Sequence, residues 1–162
     1  MNQWIELAQA SLGAARDYAN TVRNSVARQV APGGVADAAL IEQAQHQVHG
    51  YAWIAATVAA LEATLDWAVR AEVAGAYGEA EALTLRIGFG EYLAQIAAGL
   101  PMSASVIVRP SAFGTAAAAQ AFAAHPATAT LLAEGNTPET RAALAALLAD
   151  GVRPDEGLGD ET

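Results

Sequence analysis

Apolar side chains recur at alternating steps of three and four residues over two long stretches, and this pattern constrains the fold more than any other feature. In the first stretch, residues 3–30, Ile5, Ala8, Leu12, Ala15, Ala19, Val22 and Val26 form a heptad-like seam, with Glu6, Arg16, Asn20, Arg23 and Asn24 off it. Pro32-Gly33-Gly34 ends that helix. Asp37 is an N-cap for a second helix over 38–74, with a seam of Ala44, Val48, Tyr51, Ile54, Val58, Leu61, Leu65 and Ala68. Trp53, Ala56, Ala60 and Trp67 give this helix a second apolar face. A helix apolar on two faces is central in a bundle or buried against a partner. Gly50 inside it predicts a kink or a close crossing.

The remaining punctuation predicts more helices. A third covers 79–98, with Leu83, Ile87, Leu93 and Ile96 on its apolar side and Gly88 and Gly90 interrupting it. Residues 105–109 are β-branched, precede Pro110 and read as a short extended segment. Helices over 115–124 and 128–133 flank His125-Pro126. Thr137-Pro138-Glu139 is a start signature for a last helix to 148. The expected fold is all-α, a helical bundle with a long central helix. The bundle occupies residues 1–149, and residues 150–162 read as an acidic, glycine-rich linker or tail, with Asp150, Asp155, Glu156, Asp160 and Glu161 against Arg153.

Charge and composition exclude several functions. The net charge is −9 and all eight basic residues are arginines scattered along the chain, so no nucleic-acid partner is expected. The chain has no cysteine, which removes disulfides and thiolate metal sites and fits a reducing, cytoplasmic location. The apolar run 51–61 falls short of the ~20 residues of a membrane span, and no membrane partner is expected. Asn2, Gln3 and Glu6 stand where a signal peptide carries basic residues.

Few residues suggest chemistry. Glu42, His46 and His49 fall at i, i+4 and i+7 and share a face. One carboxylate and two imidazoles are ligands for zinc or iron. Their spacing matches neither of the helical metal motifs, so a polar stripe is the preferred reading and no metal is expected. Gly88-Phe89-Gly90 lacks the third glycine and preceding strand of a phosphate loop, and close helix packing explains it better. Glu91, beside Tyr92, has the type of a general base, but pairing with an arginine such as Arg86 is the preferred reading. Ser103 and Ser105 lie in no nucleophile motif, and His125 reads as a helix-end residue near the terminal carbonyls. No catalytic residue is assigned. The interface or packing candidates are Trp53, Trp67, Gly88, Phe89, Gly90, Glu91 and Tyr92.

One block is distinctive: Leu85-Arg-Ile-Gly-Phe-Gly-Glu-Tyr-Leu-Ala-Gln-Ile-Ala-Ala-Gly-Leu-Pro-Met-Ser103, followed by Val106-Ile-Val-Arg-Pro110. With His49-Gly-Tyr-Ala-Trp53 and Leu61-Glu-Ala-Thr-Leu-Asp-Trp67 upstream, it resembles the N-terminal extension of bacterial (2S)-methylsuccinyl-CoA dehydrogenases. These are flavoproteins of the acyl-CoA dehydrogenase superfamily, associated with the ethylmalonyl-CoA pathway. The resemblance is best over residues 37–110. It implies a bundle like the superfamily's C-terminal helical domain. It also implies a parent oxidoreductase that converts methylsuccinyl-CoA to mesaconyl-CoA with FAD and passes electrons to electron-transferring flavoprotein. The implied partners are the remainder of that enzyme body and its subunits. No β-barrel pattern of that body is present, so the resemblance places no catalytic or flavin-binding residue on a numbered position, and no cofactor is expected in this segment. The implied role is a non-catalytic accessory domain at an oligomer interface. Two other readings stand beside it: a self-standing bundle that binds a small ligand or metal, and a helical protein that dimerises through the seam of the first helix.

Overall fold

The computed structural model describes residues 2–154. Of the expected tail, Asp155, Glu156, Asp160 and Glu161 lie outside the described residues. The chain is an all-α bundle: α1 Gln3–Val30, α2 Ala38–Gln43, α3 Gln45–Val73, α4 Glu79–Ala98, α5 Ala116–Ala124, α6 Pro126–Glu134 and α7 Pro138–Ala149. A two-residue hairpin, β1 Leu100–Pro101 with β2 Ile107–Val108, and a 3-10 turn at Pro110–Phe113 join α4 to α5.

Local chemistry sets most helix starts. The Asn2 side chain accepts from the Trp4 N–H, and Asp37 accepts from Ala39 and Leu40, satisfying donors that have no partner inside the helix. Thr137 and Thr140 form a reciprocal capping box ahead of α7, with Pro138 in the first turn. Pro126 opens α6, so His125 links two helices: its backbone N–H bonds the Phe122 carbonyl, while its buried Nδ1 has no partner.

The α1 seam is the core. Ile5, Ala8, Leu12, Ala15, Val22 and Val26 are buried, Ala19 partly so. They pack mainly against α3, where Ile54, Val58, Leu61, Leu65 and Ala68 are buried as their spacing predicts. Burial of each large aliphatic side chain stabilises by roughly 1.5–3 kcal/mol. Tyr18 stacks on Phe122 with centroids 5.6 Å apart, and its hydroxyl meets Thr115 Oγ1 at 3.2 Å, tying α1 to α5.

Three expectations need correction. The helix over 38–74 is two helices, broken at Ala44 (φ −106°, ψ 24°). Gly88 and Gly90 do not interrupt α4, which runs unbroken through both. The central place expected of the 38–74 helix goes to α1 and α4, each packed against five other helices; α4 meets α1, α3, α5, α6 and α7 and buries Leu83, Leu85, Phe89, Leu93 and Ile96. Gly50 produces a close approach, but to the hairpin. A Cβ there would lie 2.6 Å from Val108 Cγ2 and 3.0 Å from the Phe113 ring.

Tyr77, in the α3–α4 turn, has a buried hydroxyl with no hydrogen-bond partner. Burial first, then the Glu72 and Glu81 carboxylates, push it from 10.0 up to about 12, against the pull of Arg86. The unfolded tyrosine ionises near 10 while the folded one keeps its proton to about 12, so stability is full below pH 10 and falls as pH rises between the two values. Tyr77→Phe is expected to remove that alkaline loss and to leave stability at neutral pH equal or higher by about 1 kcal/mol. Urea denaturation at neutral pH and near pH 11 checks both parts.

Candidate functional site

The 88–92 block sits where α4 meets the turn between α6 and α7. Phe89 is completely buried. Gly90 touches that turn directly: a Cβ on it would lie 2.6 Å from the Asn136 backbone nitrogen and 3.0 Å from the Gly135 carbonyl carbon. Gly135 makes the reciprocal approach, with the Arg86 carbonyl oxygen 2.6 Å from where its Cβ would be. Close backbone packing accounts for Gly90, whereas Gly88 faces open space. Tyr92 is exposed.

Glu91 belongs to a polar clasp over the same turn. Gln95 Nε2 donates to one carboxylate oxygen at 2.8 Å and Asn136 Nδ2 donates to the other. Arg141 Nη2 lies 3.5 Å from that second oxygen, and Arg141 Nε donates to Asn136 Oδ1. Glu91 therefore pairs with Arg141 instead of the expected Arg86. Arg86 is engaged elsewhere: its Nη2 donates to the Glu134 carbonyl, and its guanidinium lies 4.0 Å over the Trp4 ring. One Glu91 oxygen is held within α4 by Gln95, and the other meets Asn136 and Arg141, joining α4 to the α6–α7 turn and to α7. This is the arrangement of a structural clasp, not of a base presented to a substrate.

The other candidates lie on α3. The break at Ala44 separates Glu42 from His46 and His49, and among the described residues no group of three His, Asp or Glu side chains is placed to hold a metal ion. His49 Nε2 instead accepts from Trp53 Nε1–H at 2.8 Å. Trp53 is 41 % exposed, while Trp67 is half-buried and packs against the core. The second apolar face thus divides. Trp67 belongs to the bundle, and His49, Ala52, Trp53, Ala56, Ala59, Ala60 and Ala63 remain exposed.

This face is apolar yet left uncovered. Residues 43–61 contain no Asp, Glu, Lys or Arg, in a chain of net charge −9. By length and composition α3 is apolar enough to cross a membrane, which the run 51–61 alone did not suggest, yet only 33 % of its most apolar window is buried. Two hollows lie along it. One of about 230 Å³ is lined by His49, Ala52, Trp53 and Ala56. The other, about 460 Å³, runs between Ile41, His46, Val48, His49 and Met102. Neither offers a cation for a phosphate, and both are walled chiefly by apolar atoms. The surface suits docking of another apolar surface.

No family model matches the chain. Over 148 residues it is 36 % identical to (2S)-methylsuccinyl-CoA dehydrogenase of Cereibacter sphaeroides, a match covering 90 % of this chain and 26 % of that enzyme. The chain is related to one part of an acyl-CoA dehydrogenase. It spans about a quarter of that relative's length. The relationship agrees with the resemblance carried by the 85–110 block.

The spacing of Trp53 and Trp67 pointed to α3, but the hydrogen bond from Trp53 to His49 carries no separate sequence signal beyond their i, i+4 placement. Asn136 and Arg141 were missed altogether, because they meet Glu91 only through the α6–α7 turn.

Proposed function

We propose that this chain is a non-catalytic accessory domain of an FAD-dependent acyl-CoA dehydrogenase, placed at its N-terminus and acting in assembly. The parent enzyme oxidises (2S)-methylsuccinyl-CoA to mesaconyl-CoA in the cytoplasm and hands electrons to electron-transferring flavoprotein. The observation that carries this reading is 36 % identity over nine-tenths of the chain to a quarter of one such dehydrogenase. The engaged state of Glu91 and the bland chemistry of the α3 hollows support a structural role. FAD belongs with the remainder of the enzyme. The hollows along α3 do not fit it, since they hold no cation to face its pyrophosphate, and no residue of this chain is assigned to the flavin.

In this reading the exposed α3 face covers or imitates a subunit interface. Trp53 and the alanines around it serve that purpose, and Trp67 supports the helix from beneath. Deleting this region from the parent dehydrogenase is expected to change its oligomeric state or solubility while leaving FAD binding in the remaining body. Light scattering, flavin absorbance and a mesaconyl-CoA assay measure the three quantities. A truncated enzyme with unchanged assembly, solubility and activity would overturn the proposal.

A further inference from the structure

We infer that α7 is a strap, hinged at Asn136–Thr137 and latched by Arg141, which opens from α4 as one unit while α1, α3, α4, α5 and α6 stay folded. This goes beyond the assembly reading and does not rest on it.

The burial of α7 does not match its composition. No charged residue stands between Ala142 and Ala149, and every side chain there is alanine or leucine. Yet Thr140 is the only buried residue of the helix. Leu144 and Leu147 are half-buried, Leu148 is exposed, and no α7 side chain packs against the hydrophobic core. Its principal neighbour is α4 alone, whereas α1 and α4 each pack against five helices. Apolar burial, the main force that holds a helix to its neighbours, is therefore largely missing from α7. An element of this kind opens at a far lower free energy than the whole fold.

The joint lies just before it. Gly135 is fixed in the bundle: a Cβ on it would lie 2.6 Å from the Arg86 carbonyl oxygen and 3.0 Å from Gly90 Cα. Two residues on, Thr137 is extended, at φ −95° and ψ 161°. Rotation there swings α7 without disturbing Gly135. The bonds between Thr137 and Thr140 lie within the strap and travel with it.

Three polar links cross the joint, and Arg141 makes two of them. Its Nη2 lies 3.5 Å from Glu91 Oε2, and its Nε donates to Asn136 Oδ1. The third is Thr140 Oγ1, which donates to the Gly135 carbonyl at 2.9 Å. The Arg141 and Glu91 side chains are 60 % and 43 % exposed, so water screens their pairing and its release costs little.

Length makes the opening all-or-none. At 12 residues α7 is too short to keep its helix alone in water, so undocking and unwinding are one event. The open state bares the side of α4 beside Glu91 and frees that carboxylate from its arginine.

Amide hydrogen exchange of the full chain, followed residue by residue by NMR, tests this. The amides of 142–149 are expected to exchange at least ~100-fold faster than those of 5–26 in α1, and through one shared opening. Arg141→Ala is expected to speed exchange across the whole of 142–149 by about 3–10-fold and to leave α1 and α4 unchanged. Ala146→Gly, at an exposed position, lowers helix propensity without removing a contact, and is expected to speed the same block about 5-fold. Exchange of α7 at the rate of α1 would overturn the inference, as would variants that speed α1 and α7 alike. A gradient rising toward Ala149, with 142–145 indifferent to both substitutions, would reduce the motion to fraying of a helix end and equally overturn it.

Discussion

Phe89→Ala is expected to lower the stability of the bundle by about 3–5 kcal/mol, the largest effect of any single truncation in this chain. Phe89 is completely buried in α4, which packs against five other helices, as α1 does. Truncation removes the transfer free energy of the ring and leaves a cavity bounded by several helices, which cannot all move inward together. A domain of this size is stable by only about 5–15 kcal/mol, so the loss is a large share of the total. Urea denaturation followed by circular dichroism measures it. A change below about 1 kcal/mol would mean that α4 is not the centre of the core.

The second large effect is a contrast within one motif. Gly90→Ala is expected to destabilise the fold by about 2 kcal/mol, and Gly88→Ala to stabilise it by up to about 1 kcal/mol. Both glycines lie in α4 and both disfavour helix by the same intrinsic amount. They differ only in surroundings. The new methyl at position 90 would meet the backbone of Gly135 and Asn136, which cannot rotate away as a side chain can. The methyl at position 88 would meet nothing within 4 Å. Gly90→Ala should also loosen the Glu91–Asn136–Arg141 clasp, because that clasp spans the same turn. A larger rise in amide exchange in α7 than in α1 would report this. Equal stability changes at the two positions would show that helix propensity, not the α6–α7 turn, governs the motif.

Much of the fold was legible because local chemistry acts over a few residues. The start of α7 follows from Thr137 and Pro138, and the ends of α1 and α4 follow from Pro32-Gly33-Gly34 and Gly99 with Pro101. The buried residues of α1 follow from their spacing alone. The break at Ala44 was not legible, since neither glycine nor proline marks it. Glu91 pairs with an arginine as expected, but which arginine was not legible, for a related reason. Arg86 is near in sequence, but Trp4 and the Glu134 carbonyl hold it, and Arg141 arrives from another helix.

The two apolar faces of the helical stretch after Asp37 divide the matter most clearly. By itself the sequence determined that α3 is a helix, that it is apolar on both sides and that residues 43–61 carry no charge. These properties depend on the order of residues and the 3.6-residue period. Which face is covered was decided only by tertiary structure. The Ile54–Leu61 side takes α1 as its partner, Trp67 is drawn into the core, and Trp53 with its alanines is left to solvent. Alanine contributes too little burial energy to mark its own side as interior, so the choice falls to where the larger side chains of α1 and α4 fill the space.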